Sequence, residues 1–241
     1  MKTGKPRDIW VFAPEVASLG RVELNSDEAH HLLRVLRVQE GDTVAGTNGR
    51  GMRFQARIES ITKKSVLELG VTAFEEDPRT PADIRVAIAL PKSADRLEWF
   101  LEKATEIGVT EFIPLRTERS ERTSYRLDRG AKVITAALKQ SKRTHLPILR
   151  QLQPFREFAL KDGHGWIAHC EPSPRSPFRE ALAGTKGPQT ILIGPEGDFT
   201  PAEIAWAEEN GFKSITLGDR RLRTETAGIV VAEWAWQHQT A

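Results

Sequence analysis

From residue 84 onward, short β-branched runs alternate with helical periods, and that alternation limits the architectures open to the chain. Ile84–Leu90 reads as a strand, and Leu97, Phe100, Leu101, Ala104 and Ile107 then recur at the spacing of one helix face that Gly108 closes. Glu111–Leu115 reads as the next strand, and Asp128 is the expected cap of a helix running to about Gln140. His164–His169, Thr190–Ile193 and Lys213–Leu217 supply further strands, with helices from Pro201 and from about Thr226 to the C-terminus. Such alternation predicts an α/β domain with a mainly parallel sheet, whose ligands bind at the carboxyl ends of the strands.

The first third follows a different period. Ile9–Phe12, Val22–Leu24, Asp42–Thr47, Met52–Glu59 and Val66–Val71 are short strand-like segments separated by Gly, Asn and Asp turns. Between them SDEAHHLLRVL is one helix, capped at Ser26, with Leu32, Leu33 and Leu36 on its inner side. This predicts a small β-barrel-like domain. The charged stretch EEDPRTPAD, Glu75 to Asp83, holds two prolines and is the expected linker.

At 241 residues the chain can bury a sizeable core in one large domain or two modest ones. A single cysteine, Cys170, excludes a disulfide framework and points to a reducing cytoplasm; beside a strand it is expected to be a buried structural thiol. No apolar run reaches membrane-spanning length, and MKTGKPRDIW lacks the apolar core of a signal peptide. The net charge of +2 hides an uneven distribution. Arg116 to Arg150 holds ten Lys and Arg against three acids, and Arg34 to Arg57 holds five Arg against Glu40 and Asp42. Arginine-heavy segments of this kind fit a polyanion partner, the alternative being a solvated helix face.

Three strand ends stand out. FIPLRTERS starts at Phe112, IGPEG at Ile193, and ITLGDRRLRTETA at Ile215. In ILIGPEGDFTPAEI a buried strand stops at Gly194-Pro195; Thr200 is the expected N-cap, Pro201 the first helical residue and Glu203 the reciprocal partner of a capping box. No G-x-x-x-x-G-K-[ST] and no G-x-G-x-x-G follows a strand, and Glu196 and Asp198 would repel a pyrophosphate. A cofactor without phosphates and with a cationic centre, such as S-adenosyl-L-methionine, fits better. The alternative is an acidic turn that complements a helix dipole. His30-His31 does not read as a metal site: adjacent helical residues diverge, and no acid or cysteine stands at ligand spacing, so the pair is expected to face core and RNA separately. Trp99, Trp206, Trp234 and Trp236 sit at helical apolar positions suited to core and dimer packing.

IGPEGDFTPAEI followed by LGDRRLRTETA, with KATEIGVTEFIPLRTERS upstream and KQSKR at Lys139 to Arg143, resembles the RsmE family, bacterial 16S rRNA uridine-N3 methyltransferases of the SPOUT superfamily. HHLLRVLRVQEGD, His30 to Asp42, is similar to that family's N-terminal PUA-like domain, so the resemblance covers nearly the whole chain. It implies a PUA-like β-barrel RNA-binding domain over residues 1–74 and a SPOUT-type α/β domain with a deep trefoil knot over residues 82–241. It also implies a homodimer, and 16S rRNA or the small ribosomal subunit as partner. Knots are an exception to ordinary chain topology that periodicity cannot reveal. Three positions depart from the family pattern: Asp198 replaces a glycine, Arg221 an apolar residue and Lys139 an acid.

The resemblance places S-adenosylmethionine against the backbone of Leu115, Ile193, Gly194, Gly197, Leu217, Gly218 and Leu222, with Pro195 and Glu196 in the same site and Thr226 capping a helix or touching the cofactor. Glu196 either orients a loop amide or the cofactor's amino group, or only fixes the turn. Methylating N3 of uracil requires loss of a weakly acidic proton, hence a base or a positive group near O2 or O4. Arg223 is the candidate for stabilising that charge, the alternative being a salt bridge to Glu225 or Glu196; Glu225 is a possible base or orienter, or a complement to a helix dipole. Arg34, Arg37, Lys92, Arg116, Arg119, Arg143 and Arg220 are candidate RNA contacts. Competing expectations are methylation of a ribose 2′-OH on the same fold, or a non-catalytic RNA-binding or ribosome-assembly protein.

Overall fold

The structure, a computed structural model, describes residues 9–24, 26–62, 66–78 and 82–240. The first eight residues, the Ser26 side chain expected as a cap, and residues 79–81 of the expected linker lie outside the described residues. The chain divides into two compact units, Met1–Thr80 with Leu138–Leu146, and Pro81–Ala137 with Pro147–Ala241.

The first unit contains β1 (Trp10–Phe12), β2 (Gly20–Glu23), α1 (Ser26–His30), β3 (Thr43–Thr47), β4 (Met52–Ile61) and β5 (Leu67–Glu76) in a 5-stranded sheet of order β1-β3-β4-β5-β2. Alternation along β4 turns Phe54, Ala56 and Ile58 into a core shared with Val11, Leu67 and Leu69. The expected helix changes form midway: after α1, His31–Leu36 make a π-helical turn that buries Leu32 and ends on Arg37 at φ +53°. Leu33 and Leu36 pack partly buried against the same core. Glu75 and Glu76, expected in the linker, instead extend β5, because Arg53 and Met52 of β4 pair with them in register. Residues 138–146 complete this unit. Thr144 donates its hydroxyl to Asp77 at 2.9 Å, and Lys139 reaches Glu28 at 2.8 Å, so the departure at Lys139 answers a buried acid.

The second unit contains β6 (Ile84–Ala89), α2 (Ala94–Ile107), β7 (Glu111–Arg116), α3 (Leu127–Gln140, its last residues in the first unit), β8 (Ile148–Leu149), β9 (Gln153–Pro154), β10 (His164–Ala168), β11 (Ser176–Pro177), α4 (Phe178–Leu182), β12 (Gln189–Ile193), α5 (Pro201–Glu209), β13 (Phe212–Thr216) and α6 (Thr224–Thr240). The strands form an 8-stranded sheet of order β11-β13-β10-β12-β6-β7-β8, with β9 on β7, and the pairings are parallel. Leu97, Phe100, Leu101 and Ala104 are buried along α2, Ile107 half-buried, and Gly108 ends the helix. Asp128 does not cap α3; the helix already begins at Leu127, and Asp128 pairs with Arg126 at 2.7 Å. Across the sheet, Phe155, Phe199, Phe212 and Ile204 join Leu115, Ile167 and Leu192 in a second core.

Candidate functional site

Strand register sets the site. Ala168 of β10 pairs with Ile193 of β12 and with Ile215 of β13, so the residues that follow these three neighbours emerge together at their carboxyl ends. They wall a cleft built from Ala168–Cys170, Ile193–Glu196 with Asp198, Thr216–Gly218, Arg220–Leu222, and Thr224 with Ala227 at the start of α6. Thr224 ties two of these segments, its hydroxyl donating to the Gly194 carbonyl at 3.0 Å. Gly218 sits at φ +118°, a conformation that excludes ordinary side chains, and exchanges hydrogen bonds with the Thr216 hydroxyl.

The GPEGD turn owes its shape to its acids. Asp198 is left-handed at φ +62°; its carboxylate accepts from its neighbour Phe199 N at 2.8 Å and from Cys170 N at 2.7 Å, which holds the β10 and β12 loops side by side. A short side chain able to bond locally is what that conformation tolerates. Glu196 accepts from the Lys92 amide at 3.0 Å, so of its expected roles it takes the orienting of a loop amide. The capping box at α5 is complete: Glu203 N donates to Thr200 Oγ1 at 3.2 Å and Thr200 N to Glu203 Oε2 at 2.9 Å. The remaining oxygen of the buried Glu203 accepts from Glu118 N at 2.8 Å, binding the loop after β7 to the same turn.

Ile193, Gly194, Pro195, Glu196, Leu217, Gly218 and Leu222 therefore share one cleft, joined by Arg220, expected on RNA. Leu115 is not in that wall. It lies on β7, which β6 separates from β12, and is fully buried in the core. Gly197 turns its carbonyl to Arg119 Nη1 at 2.7 Å and lies outside the wall. Thr226 neither caps α6 nor lines the cleft, because the helix starts two residues earlier and Thr224 takes that place. Cys170 is exposed at the cleft rather than buried, since β10 ends at Ala168 and carries it past the sheet edge.

Arg223 is exposed and has no ion pair among the described residues, so neither expected salt bridge forms. Arg96 takes that place, with Nη1 3.8 Å from Glu196 and Nε 3.7 Å from Glu225. Glu225 is buried, and its Oε2 finds no partner among the described residues. Arg221 donates to the Glu196 carbonyl at 3.3 Å, which accounts for a charged residue at that departure. Among the expected RNA contacts, Arg119 also donates to Phe199 O at 3.3 Å and Lys92 pairs with Glu121 at 2.6 Å, which raises its pKa. Arg116 is exposed beside Arg156 and Glu118 in a second cleft. Arg34 and Arg37 are exposed on the π-helical turn, and Arg143 is half-buried, all within the first unit. His31 is half-buried and His30 exposed.

Sequence reasoning missed Arg96, His169 and Thr224. Arg96 lies off the apolar face that defined α2, and no periodic signal marks it. His169 directly follows β10, inside the span that the strand period covers; it is 5 % exposed and lines the cleft. Burial holds its pKa below the usual histidine range.

Residues 78–236 match the RNA methyltransferase domain family, and residues 24–68 match the RNA methyltransferase PUA domain family. The ribosomal RNA small subunit methyltransferase E of Synechocystis sp. is 34% identical over 227 residues, spanning 91% of this chain and 74% of that protein. A solved probable rRNA-methyltransferase from Porphyromonas gingivalis is 36% identical with a TM-score of 0.86, covering 97% of this chain and 98% of its own. A ribosomal RNA small subunit methyltransferase E from Neisseria gonorrhoeae, solved bound to S-adenosyl methionine, is 27% identical with a TM-score of 0.86 over 97% of this chain and 98% of its own.

Proposed function

This chain belongs to the ribosomal RNA small subunit methyltransferase E family, and from that premise we propose that it methylates N3 of a uridine in 16S rRNA with S-adenosylmethionine as methyl donor. The observation that carries the reading is the cleft where β10, β12 and β13 end together.

The residues present fit this cofactor. The cleft offers apolar side chains and exposed backbone side by side at the carboxyl ends of parallel strands, where ligands of such sheets bind. The GPEGD turn brings Glu196 and Asp198 to the cleft wall, carboxylates that suit a sulfonium, with Arg220 and Arg221 on the loop after β13, and the buried His169 Nδ1 has no partner among the described residues. Ile193–Pro195, Leu217-Gly218 and Leu222 would hold the adenosine portion between apolar side chains and backbone. When bound, S-adenosylmethionine supplies an electrophilic methyl group. The protein's part is to line up the uracil and stabilise the charge left when N3 loses its proton. Arg223, exposed and without an ion pair among the described residues, next in the chain to the cleft segment Arg220–Leu222, is the cation for that charge. Glu225, buried and with one oxygen that has no partner among the described residues, takes up the N3 proton or orients the group that does. Arg96 holds Glu225 and Glu196 in place.

RNA is held by arginines of both units, Arg34, Arg37 and Arg143 in the first and Arg116 and Arg220 in the second. A homodimer and a cytoplasmic location belong to the same reading. Trp99, 43% exposed on α2, offers an apolar surface for a second copy. No helix among the described residues is long and apolar enough to cross a membrane. The loops of the second unit are proposed to be threaded as a knot. The test is mass spectrometry of nucleosides from rRNA of a deletion strain: loss of 3-methyluridine supports the reading, and loss of a 2′-O-methyl nucleoside instead overturns it.

A further inference from the structure

His169 is held by a chain of hydrogen bonds that fixes which ring nitrogen carries its proton. Ser214 Oγ lies 2.6 Å from Glu208 Oε1 and donates its one hydrogen to that carboxylate. His169 Nε2 lies 3.0 Å from the same hydroxyl. With its hydrogen already committed, the hydroxyl accepts, so Nε2 carries the N–H and Nδ1 keeps a lone pair. That Nδ1 is buried and has no partner among the described residues, and His169 is one of the residues that line the cleft. Buried acceptors are nearly always satisfied, so an unpaired one in a ligand wall marks a contact that its ligand completes.

We propose that His169 selects the cofactor, its Nδ1 accepting a hydrogen bond from a neutral donor of the adenosine portion, the adenine N6 amine or a ribose hydroxyl. The inference rests on reading the cleft as the S-adenosylmethionine site. The charges around the ring are mixed, Arg175 donating to the His169 carbonyl while the Asp198 carboxylate accepts from the next amide, so the analogue series decides which donor is recognised. Ser214 and Glu208 act one step removed: they hold the tautomer that leaves Nδ1 free to accept.

The test is calorimetric titration with S-adenosylhomocysteine, and with its 2′-deoxy, 3′-deoxy and N6,N6-dimethyl analogues, on the full chain and on His169→Phe and Ser214→Ala. His169→Phe weakens S-adenosylhomocysteine about tenfold, the effect of one hydrogen bond to a buried group. It causes no further loss with the single analogue that lacks the recognised donor, which identifies that donor. Ser214→Ala leaves the ring in place and weakens binding in the same analogue-dependent way. Nitrogen-15 spectra of the unaltered chain show a protonated Nε2 and an Nδ1 resonance that moves on adding S-adenosylhomocysteine. Unchanged affinity in His169→Phe, equal losses with every analogue, or an unmoved Nδ1 resonance overturns the proposal while leaving the cofactor site standing. Absence of any binding by the unaltered chain overturns both.

Discussion

Asp198 shows how one side chain can hold a loop that its family pattern builds with glycine. The residue carries a left-handed backbone at φ +62° and makes two hydrogen bonds to amides, at 2.8 and 2.7 Å. The conformation costs an L-residue about 1–2 kcal/mol, and the bonds to a charged group return about 1.5–3 kcal/mol each. Asp198→Ala keeps the strain and loses the bonds, whereas Asp198→Gly loses both. Urea denaturation should therefore find the alanine variant less stable than the glycine variant, by about 1 kcal/mol. A glycine variant as unstable as the alanine one would show that the strain is negligible. Glu203 is the second such residue, since one buried carboxylate serves Thr200 N and Glu118 N at 2.9 and 2.8 Å. Glu203→Ala is expected to cost about 2–3 kcal/mol. The cap was legible because its signal is local. The bond to Glu118 was not, because it joins residues far apart in the chain.

At the scale of elements, α2 and α6 approach closely where Gly228 faces Phe100: a Cβ there would meet the ring at 2.6 Å. Gly228→Val should unfold the second unit or lower its Tm by about 6–12 °C, as expected for the roughly 3 kcal/mol that overpacking costs in a domain of this size. A variant with unchanged Tm would mean that Phe100 has room to move. The strand and helix order of this unit was readable from periods of 2 and 3.6, and its cleft from glycines at strand ends. Which strands become neighbours was not readable. Leu115 ends a strand just as Ile193 does, but β6 stands between β7 and β12 and leaves it in the core. In the first unit the strands were legible and the closing segment was not. KQSKR lies in a basic segment that fits a polyanion partner, yet Lys139 pairs with Glu28 at 2.8 Å within that unit. Lys139→Ala leaves a buried acid without that partner, and should lower stability by about 2 kcal/mol in thermal denaturation.

For the whole molecule, burial holds the imidazoles of His145 and His169 below the ordinary histidine range. The unfolded chain then binds more protons than the folded one as pH falls through about 6.5. The stability these groups contribute is complete above that pH and is lost as pH drops through their lower folded values. Calorimetric Tm should decline between pH 7.5 and 5.5, and less steeply in His145→Gln, with Asp77, Glu76 and Arg143 the charges that face that ring. Catalysis is the other property to be measured on the whole chain. Its most direct measurement is to supply S-adenosylmethionine and small-subunit rRNA, free or assembled, to the protein and to Arg223→Ala, and to quantify methylated nucleosides by mass spectrometry. The unaltered protein is expected to form 3-methyluridine, and the variant to lose at least 100-fold in turnover (about 2.7 kcal/mol) while binding S-adenosylhomocysteine as before. Methylation of ribose, or undiminished turnover in the variant, would contradict the account.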